Sequence, residues 1–213
     1  ELKLPANLRI VGYAAFEGCG FKSVNIPSGI EEFNAEVFAS CGNLERFEGD
    51  LVSEDGRCVV INETLYSFAP AGLTSYTTPA GVKKIEFRAF MNCGNLEEIT
   101  VSDGVEMIAD EAFDNCTSLR KVTIADSVEQ FGYGVFRYCH SLEEVDYKYV
   151  SEDGRCIVID GELISFGGIH PDCDDYKEKL QWIKANGFKE NVSGEYLSCF
   201  EYVYEKNDTT LAF

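Results

Sequence analysis

Apolar and polar positions along this chain follow one recurring beat. Short segments alternate in period two, each led by an apolar residue three places earlier: Phe21 before Val24-Asn25-Ile26, Leu96 before Ile99-Thr100-Val101, Leu119 before Val122-Thr123-Ile124, and Leu142 before Val145-Asp146-Tyr147. Leu44 before Phe47 opens in the same way, and Leu2-Lys3-Leu4-Pro5 matches Val24-Asn25-Ile26-Pro27. Strict alternation predicts a strand with one buried face. Next comes a pair spaced by three: Ile30 and Phe33, Val82 and Ile85, Val105 and Ile108, or Val128 and Phe131. The beat closes on Ala-Phe-x-x-Cys or Val-Phe-x-x-Cys, which supplies Phe16 with Cys19, Phe38 with Cys41, Phe90 with Cys93, Phe113 with Cys116, and Phe136 with Cys139. Neighbouring phenylalanines recur 22 or 23 residues apart, save between Phe38 and Phe90.

A fixed period of this length predicts a solenoid, because one unit alone cannot bury its apolar face. Each coil is expected to give a short strand, a turn and a return arc, with Phe and Cys stacked as a ladder beneath the arc. The phrase Leu-x-x-Val-x-Ile-Pro-x-x-Val-x-x-Ile-x-x-x-Ala-Phe-x-x-Cys resembles the BspA-like leucine-rich repeat family of bacterial surface proteins, over residues 1–149. The resemblance implies a right-handed leucine-rich-repeat solenoid with short parallel strands and irregular or short-helical return arcs. It also implies export to the cell surface, a role in adhesion, and no catalytic residues.

A second element repeats on a longer scale. Val52-Ser53-Glu54-Asp55-Gly56-Arg57-Cys58 returns 98 residues later as Val150-Ser151-Glu152-Asp153-Gly154-Arg155-Cys156, and residues 51–68 match 149–166 at twelve of eighteen positions. Asp-Gly between apolar runs signals a tight turn, so each copy predicts a small β-meander replacing one return arc. The strand ladder then resumes at Leu73-x-x-Tyr76-x-Thr78-Pro79. After the second copy it breaks, since Pro171 and Asp174 stand where the leucine and Tyr76 stood. The division expected is a solenoid over 1–168 and a partly helical capping segment over 169–213. The helix would span about 175–186, with Asp174 as N-cap, Asn186-Gly187 as stop, and irregular chain beyond. A degenerate repeat or the start of another domain are the alternatives. The chain also begins partway along a strand, which reads as a trimmed or processed start.

Charge and cysteine content narrow the function. A net charge of −19 repels phosphate backbones and disfavours nucleic-acid binding. No apolar run is long enough to span a bilayer as a helix. Five of the nine cysteines share one repeat phase, so they read as buried, reduced packing residues. The two histidines, His140 and His170, form no convincing dyad or metal set. His170-Pro171-Asp172-Cys173 offers too few ligands for structural zinc. The Asp-Gly turns lack the alternating oxygens of a calcium loop. No metal, cofactor or catalytic residue is expected.

Candidate binding residues follow from the strand phase. Between the buried positions, Lys22, Ser23, Asn25, Glu45, Arg46, Glu48, Glu97, Glu98, Thr100, Arg120, Lys121, Thr123, Glu143, Glu144 and Asp146 should face outward as a mixed charged stripe. Tyr66, Tyr147 and Tyr149 in or beside the meanders are candidate contact aromatics. The expected function is a non-enzymatic binding or adhesion module that takes an extracellular protein or a glycan. A structural spacer and a carbohydrate-active enzyme on a β-solenoid are the alternatives.

Overall fold

A computed structural model describes residues 1–150 and four later strands, 156–159, 162–166, 188–190 and 204–206. The chain winds as a solenoid whose coils each open with a strand. Coil 1 supplies β1 (Leu2–Lys3) and β2 (Ile10–Val11), and coil 2 supplies β3 (Ser23–Asn25) and β4 (Glu32–Phe33). Coil 3 supplies β5 (Arg46–Glu48) and then a hairpin, β6 (Cys58–Ile61) and β7 (Thr64–Phe68). Coil 4 carries β8 (Ser75–Thr77) and β9 (Lys84–Ile85), and coil 5 carries β10 (Glu98–Val101) and β11 (Met107–Ile108). Coil 6 carries β12 (Lys121–Ile124) and β13 (Gln130–Phe131), and β14 (Glu144–Asp146) opens coil 7.

The first strands of the coils pair in parallel, in the register that the alternation demands. Val24 lies beside Phe47, and Ile99 lies between Tyr76 and Val122. The inward residues Val24, Phe47, Ile99, Val122 and Val145 are all at or below 4% exposure, while Leu2 of coil 1 and Tyr76 of coil 4 are partly buried. A second, two-residue ladder runs along the return arc, through β2 and β4 and then through β7, β9, β11 and β13.

A third row of contacts lies in the Phe-Cys turns. Two phases of each turn adopt positive φ: Ala14, Glu36, Arg88, Glu111 and Gly134 precede the phenylalanine by two, while Gly18, Ser40, Asn92, Asn115 and Tyr138 precede the cysteine. Left-handed backbone is unfavourable for most side chains, so something must hold it. Alternate N–H groups donate to the next coil's carbonyls: Phe90 to Ala112 (2.9 Å), Asn92 to Asp114 (2.9 Å), Phe113 to Val135 (2.9 Å) and Asn115 to Arg137 (2.8 Å). The left-handed residues aim these donors along the stack. Inside the turns, Phe90, Phe113 and Phe136 stack at centroid distances of 4.9 and 5.3 Å. The thiols of Cys41, Cys116 and Cys139 each donate to a phenylalanine carbonyl of the preceding coil at 3.1–3.2 Å. Cys19, Cys41, Cys58, Cys93, Cys116 and Cys139 are free thiols, buried except for Cys19.

The first meander interrupts this regularity. No β5–β8 pairing forms among the described residues, so the strand sheet splits into β1-β3-β5 and β8-β10-β12-β14. Coil 3 straddles the split. Its strand β5 joins β3, while its hairpin strand β7 joins β9 through Leu65 and Ile85. The loop between β5 and β6 lies in the gap. Phe47 N–H donates to the Gly56 carbonyl at 2.7 Å, and the Tyr76 hydroxyl donates to Asp55 at 2.9 Å. Coil 3 has no Phe-Cys turn. Phe68 fills that place in the stack, 4.7 Å from Phe90. The turns of coils 2 and 4 therefore meet directly, and side chains replace backbone bonds. Glu36 pairs with Arg88 (2.6 Å), Arg88 with Glu111 (2.5 Å), Glu111 with Arg137 (2.6 Å) and Arg137 with Asp114 (2.8 Å). Asn92 donates to Ser40 Oγ at 2.6 Å. At coil 3 a loop is thus inserted on the strand side and a turn is missing opposite it. The buried residues accordingly divide into two core clusters, one centred on coils 1–2 and one on coils 4–7.

Asp55 organises the meander loop. Burial raises its carboxyl, but hydrogen bonds from Ser53, the Arg57 amide and Tyr76 outweigh burial and hold it below the usual carboxylate range. A depressed folded pKa stabilises fully above the unfolded value of about 4, and that stability is lost as pH falls through the folded value. Acid titration of stability should therefore show a loss below about pH 4 in the parent chain that is smaller in Asp55→Asn. Equal acid slopes in urea melts of the two proteins would exclude this role.

The second meander repeats the first. β15 (Cys156–Ile159) pairs with β16 (Glu162–Phe166), and the register shift between Ile157 and Val158 mirrors that between Val59 and Val60. Where the sequence pattern predicts irregular chain beyond residue 187, two short strands form. β17 (Phe188–Glu190) and β18 (Tyr204–Lys206) extend the hairpin antiparallel, in the order β15-β16-β18-β17. The helix expected at about 175–186, the rest of the capping segment 169–213, and the His170 cluster lie outside the described residues.

Candidate functional site

The outward face of the strand sheet is built by the pleat. Burying Val24, Ile99 or Val122 turns their neighbours to solvent. Lys22, Glu45, Arg46, Glu97, Glu98, Arg120, Glu143, Glu144 and Asp146 are exposed, while Ser23, Asn25, Glu48, Thr100, Lys121 and Thr123 are half-buried within the same face. Parallel register aligns them in rows along the stack: Thr74, Glu97, Arg120, Glu143; then Ser75, Glu98, Lys121, Glu144; then Thr77, Thr100, Thr123, Asp146.

Part of this charge is neutralised between coils. Lys22 pairs with Glu45 at 3.0 Å, Lys121 with Glu144 at 2.6 Å, and Arg46 with Glu48 at 2.5 Å along β5. Glu144 raises the Lys121 ammonium pKa. Exposed pairs of this kind contribute little stability. Among the described residues, Glu97, Glu98, Glu143 and Asp146 make no ion pair, and neither does Arg120, although it stands between Glu97 and Glu143 in its row.

The three tyrosines take different places. Tyr149 is exposed. Tyr66 is half-buried, edge-on to Phe33 at 5.6 Å, where it joins the meander to the first core cluster. Tyr147 does not face solvent as expected. It is 5% exposed, its hydroxyl donates to the Val128 carbonyl at 2.6 Å, and burial pushes its pKa up to about 12. The strand phase explains this, since Tyr147 occupies the inward position of Ile26, Val101 and Ile124. Thr74, Ser75 and Thr77 are exposed on the same face and extend it to the meander. The alignment of Leu73 and Tyr76 with the other coils carries the signal for them.

The described residues contain no group of three or more His, Cys, Asp or Glu placed to hold a metal ion. Cys58 has Tyr76 Oη at 3.2 Å, but burial pushes its thiol up to about 12. It therefore provides no thiolate at neutral pH. No helix among the described residues is long and apolar enough to cross a membrane.

Comparison with known proteins bears on the whole array. The sequence model described as BspA type leucine rich repeat region matches residues 1–51 and 61–153 in six copies. No curated protein matches the chain. Among solved structures, a leucine-rich repeat protein from Eubacterium ventriosum superposes with a TM-score of 0.58 at 22% identity, covering 71% of this chain and 42% of that one. A leucine rich repeat protein of T. pallidum shares 26% identity over 67% of this chain and 56% of its own, with a TM-score of 0.39. The pneumococcal vaccine antigen PcpA shares 16% over 66% and 42%, at 0.49. The chain thus spans less than two thirds of each of these structures. The first supports the fold and nothing finer.

Proposed function

The chain belongs to the BspA-type leucine-rich repeat family, and on that footing we propose that it is a non-enzymatic binding module of the bacterial cell surface. It holds an extracellular protein, or a glycan, against the strand face and the adjoining meander. The observation that carries this reading is the face itself. Rigid parallel strands present aligned rows of charged and hydroxyl side chains, and regular concave or flat solenoid faces are the surfaces such proteins use for partners.

A direct experiment tests it. The chain is immobilised and exposed to extracellular-matrix proteins, mucin glycans and bacterial surface extracts at low and moderate salt. A saturable, salt-sensitive partner is expected. Replacing Glu97, Glu98, Arg120 and Lys121 together by serine should weaken that partner at least tenfold while leaving the melting temperature within a few degrees, because surface changes of this kind cost little stability. Unchanged affinity would remove the strand face from the interface.

One observation favours a second reading, a spacer in a larger surface protein. The pairs Lys22–Glu45 and Lys121–Glu144 spend part of the stripe's charge within the stack. A spacer predicts no partner anywhere in the panel.

A further inference from the structure

A pocket lies where the segments leading into β8, β10 and β12 run side by side. It has a volume of about 280 Å³ and is lined by Gly72, Leu73, Thr74, Asn95, Glu97 and Ser118. Its lining comes from equivalent positions of three successive coils: Gly72, Leu73 and Thr74, then Asn95 and Glu97, then Ser118. Leu73 holds the ladder phase of Leu96, Leu119 and Leu142, which are 0–6% exposed, yet Leu73 itself is only partly buried because no β5 neighbour covers it. Gly72 adds no side chain at the mouth.

We propose that this pocket is a seat for a primary ammonium on an apolar stem, namely a lysine side chain of the bound partner. The inference rests on the binding-module reading and names the partner's chemistry. The lining is rich in acceptors. The Glu97 carboxylate makes no ion pair among the described residues, and Thr74, Asn95 and Ser118 line the same pocket. No lysine, arginine or histidine lines the pocket, so an anion would meet Glu97 there, with Arg120 in the next coil as the nearest cation of that row. No aromatic face is available for a sugar ring. The volume lies just under the range of small-molecule sites, about 300 Å³ and upward, which suits a single side chain. Leu73 provides the apolar wall against which methylenes pack, while the ammonium head reaches Glu97. Along the same face, Glu98, Glu143 and Asp146, which make no ion pair among the described residues, outnumber Arg120, and the whole chain carries −19. That field draws a basic segment toward this face and orients it.

The test uses the whole chain, labelled with ¹⁵N, and a tetralysine peptide as probe at about 20 mM and about 150 mM NaCl. The same peptide with every ammonium acetylated is the control. Saturable shifts are expected at the amides of Gly72, Leu73 and Asn95 and at the Asn95 side chain, with none from the acetylated peptide. Glu97→Gln should weaken binding about tenfold and Glu143→Gln less than twofold. Shifts spread evenly over the acidic surface, or equal affinity of Glu97→Gln and the parent, would overturn the pocket. A panel partner that binds parent and Glu97→Gln alike, and that tetralysine does not displace, would overturn the pocket while leaving the binding module standing. A blank panel with tetralysine localised at Gly72 and Asn95 would uphold the pocket and remove the module.

Discussion

Phe113→Ala is expected to destabilise the chain by about 3–5 kcal/mol, the usual cost of emptying a buried aromatic site. Phe113 is fully buried and sits between Phe90 and Phe136, 4.9 and 5.3 Å away. Both neighbours are fixed by turn hydrogen bonds, so the hole cannot collapse easily. For a chain of this size the melting temperature should fall by about 10 °C. Phe16→Ala serves as the internal control. Phe16 stacks on Phe38 at 5.3 Å but is only partly buried, and its loss should be less than half as large. Denaturation by guanidinium, followed by circular dichroism, measures both. Equal small losses would mean that the aromatic row is not the continuous core described above.

Arg88→Met is the second large effect, about 3–5 kcal/mol, with a change in the shape of unfolding. Glu36 has a side chain only 3% exposed and faces Arg88 at 2.6 Å. Removing the guanidinium strands that carboxylate, and Glu111 loses one of its two arginines. Among the described residues, no backbone bond joins the turns of coils 2 and 4, so the side-chain chain Glu36–Arg88–Glu111 supports that step. In a solenoid, where each coil touches only its neighbours, weakening one step separates the cooperative units. Hydrogen exchange should then show residues 1–48 opening before residues 75–146, whereas the parent opens as one. The double variant Arg88→Met/Glu36→Met should recover most of the stability, because it leaves no buried unpaired charge. A single unchanged transition in Arg88→Met would show that the meander alone joins the blocks.

These two sites differ in how far the sequence exposes them. The Phe-Cys ladder is legible because its period is uniform and every position has one environment. The strand face is legible for the same reason, and alternation alone orients Glu97 and Arg120 outward. The meander twin shows in direct repetition from Val52 to Cys58. Arg88 and Glu36 are not legible, because their contact spans 52 residues and exists only once coil 3 is known to lack a turn. The left-handed phase is half hidden. Gly18, Asn92, Asn115 and Gly134 suit it, but Arg88 and Glu111 adopt it while donating hydrogen bonds to the next coil, and Glu36 while its carboxylate pairs with Arg88. The two-residue strands of the return arc escape notice because an apolar spacing of three carries no period-two signal. Tyr147 shows the reverse case. Its inward phase is plain in the alignment with Ile124, and the general preference of tyrosine for interfaces obscures it. Leu73 misleads in the other direction. Its phase reads as buried, and only the missing β5–β8 pairing uncovers it.

Coil 3, with its strand in one sheet and its hairpin in the next, has a mechanical consequence. Load applied along the stack passes through parallel rows of backbone hydrogen bonds at the ordinary steps, such as that between coils 5 and 6. At coil 3 the strand row stops, and the turn row is replaced by a few side-chain contacts. Tension therefore concentrates on the segment between β5 and β6, and the stack yields there first. The lower coils come away as a block, and the loop that pays out is the one Asp55 holds folded. The same motif stands 98 residues further on, beyond β14. Among the described residues, coil 3 is thus the compliant joint between two stiffer blocks, β1–β5 and β8–β14.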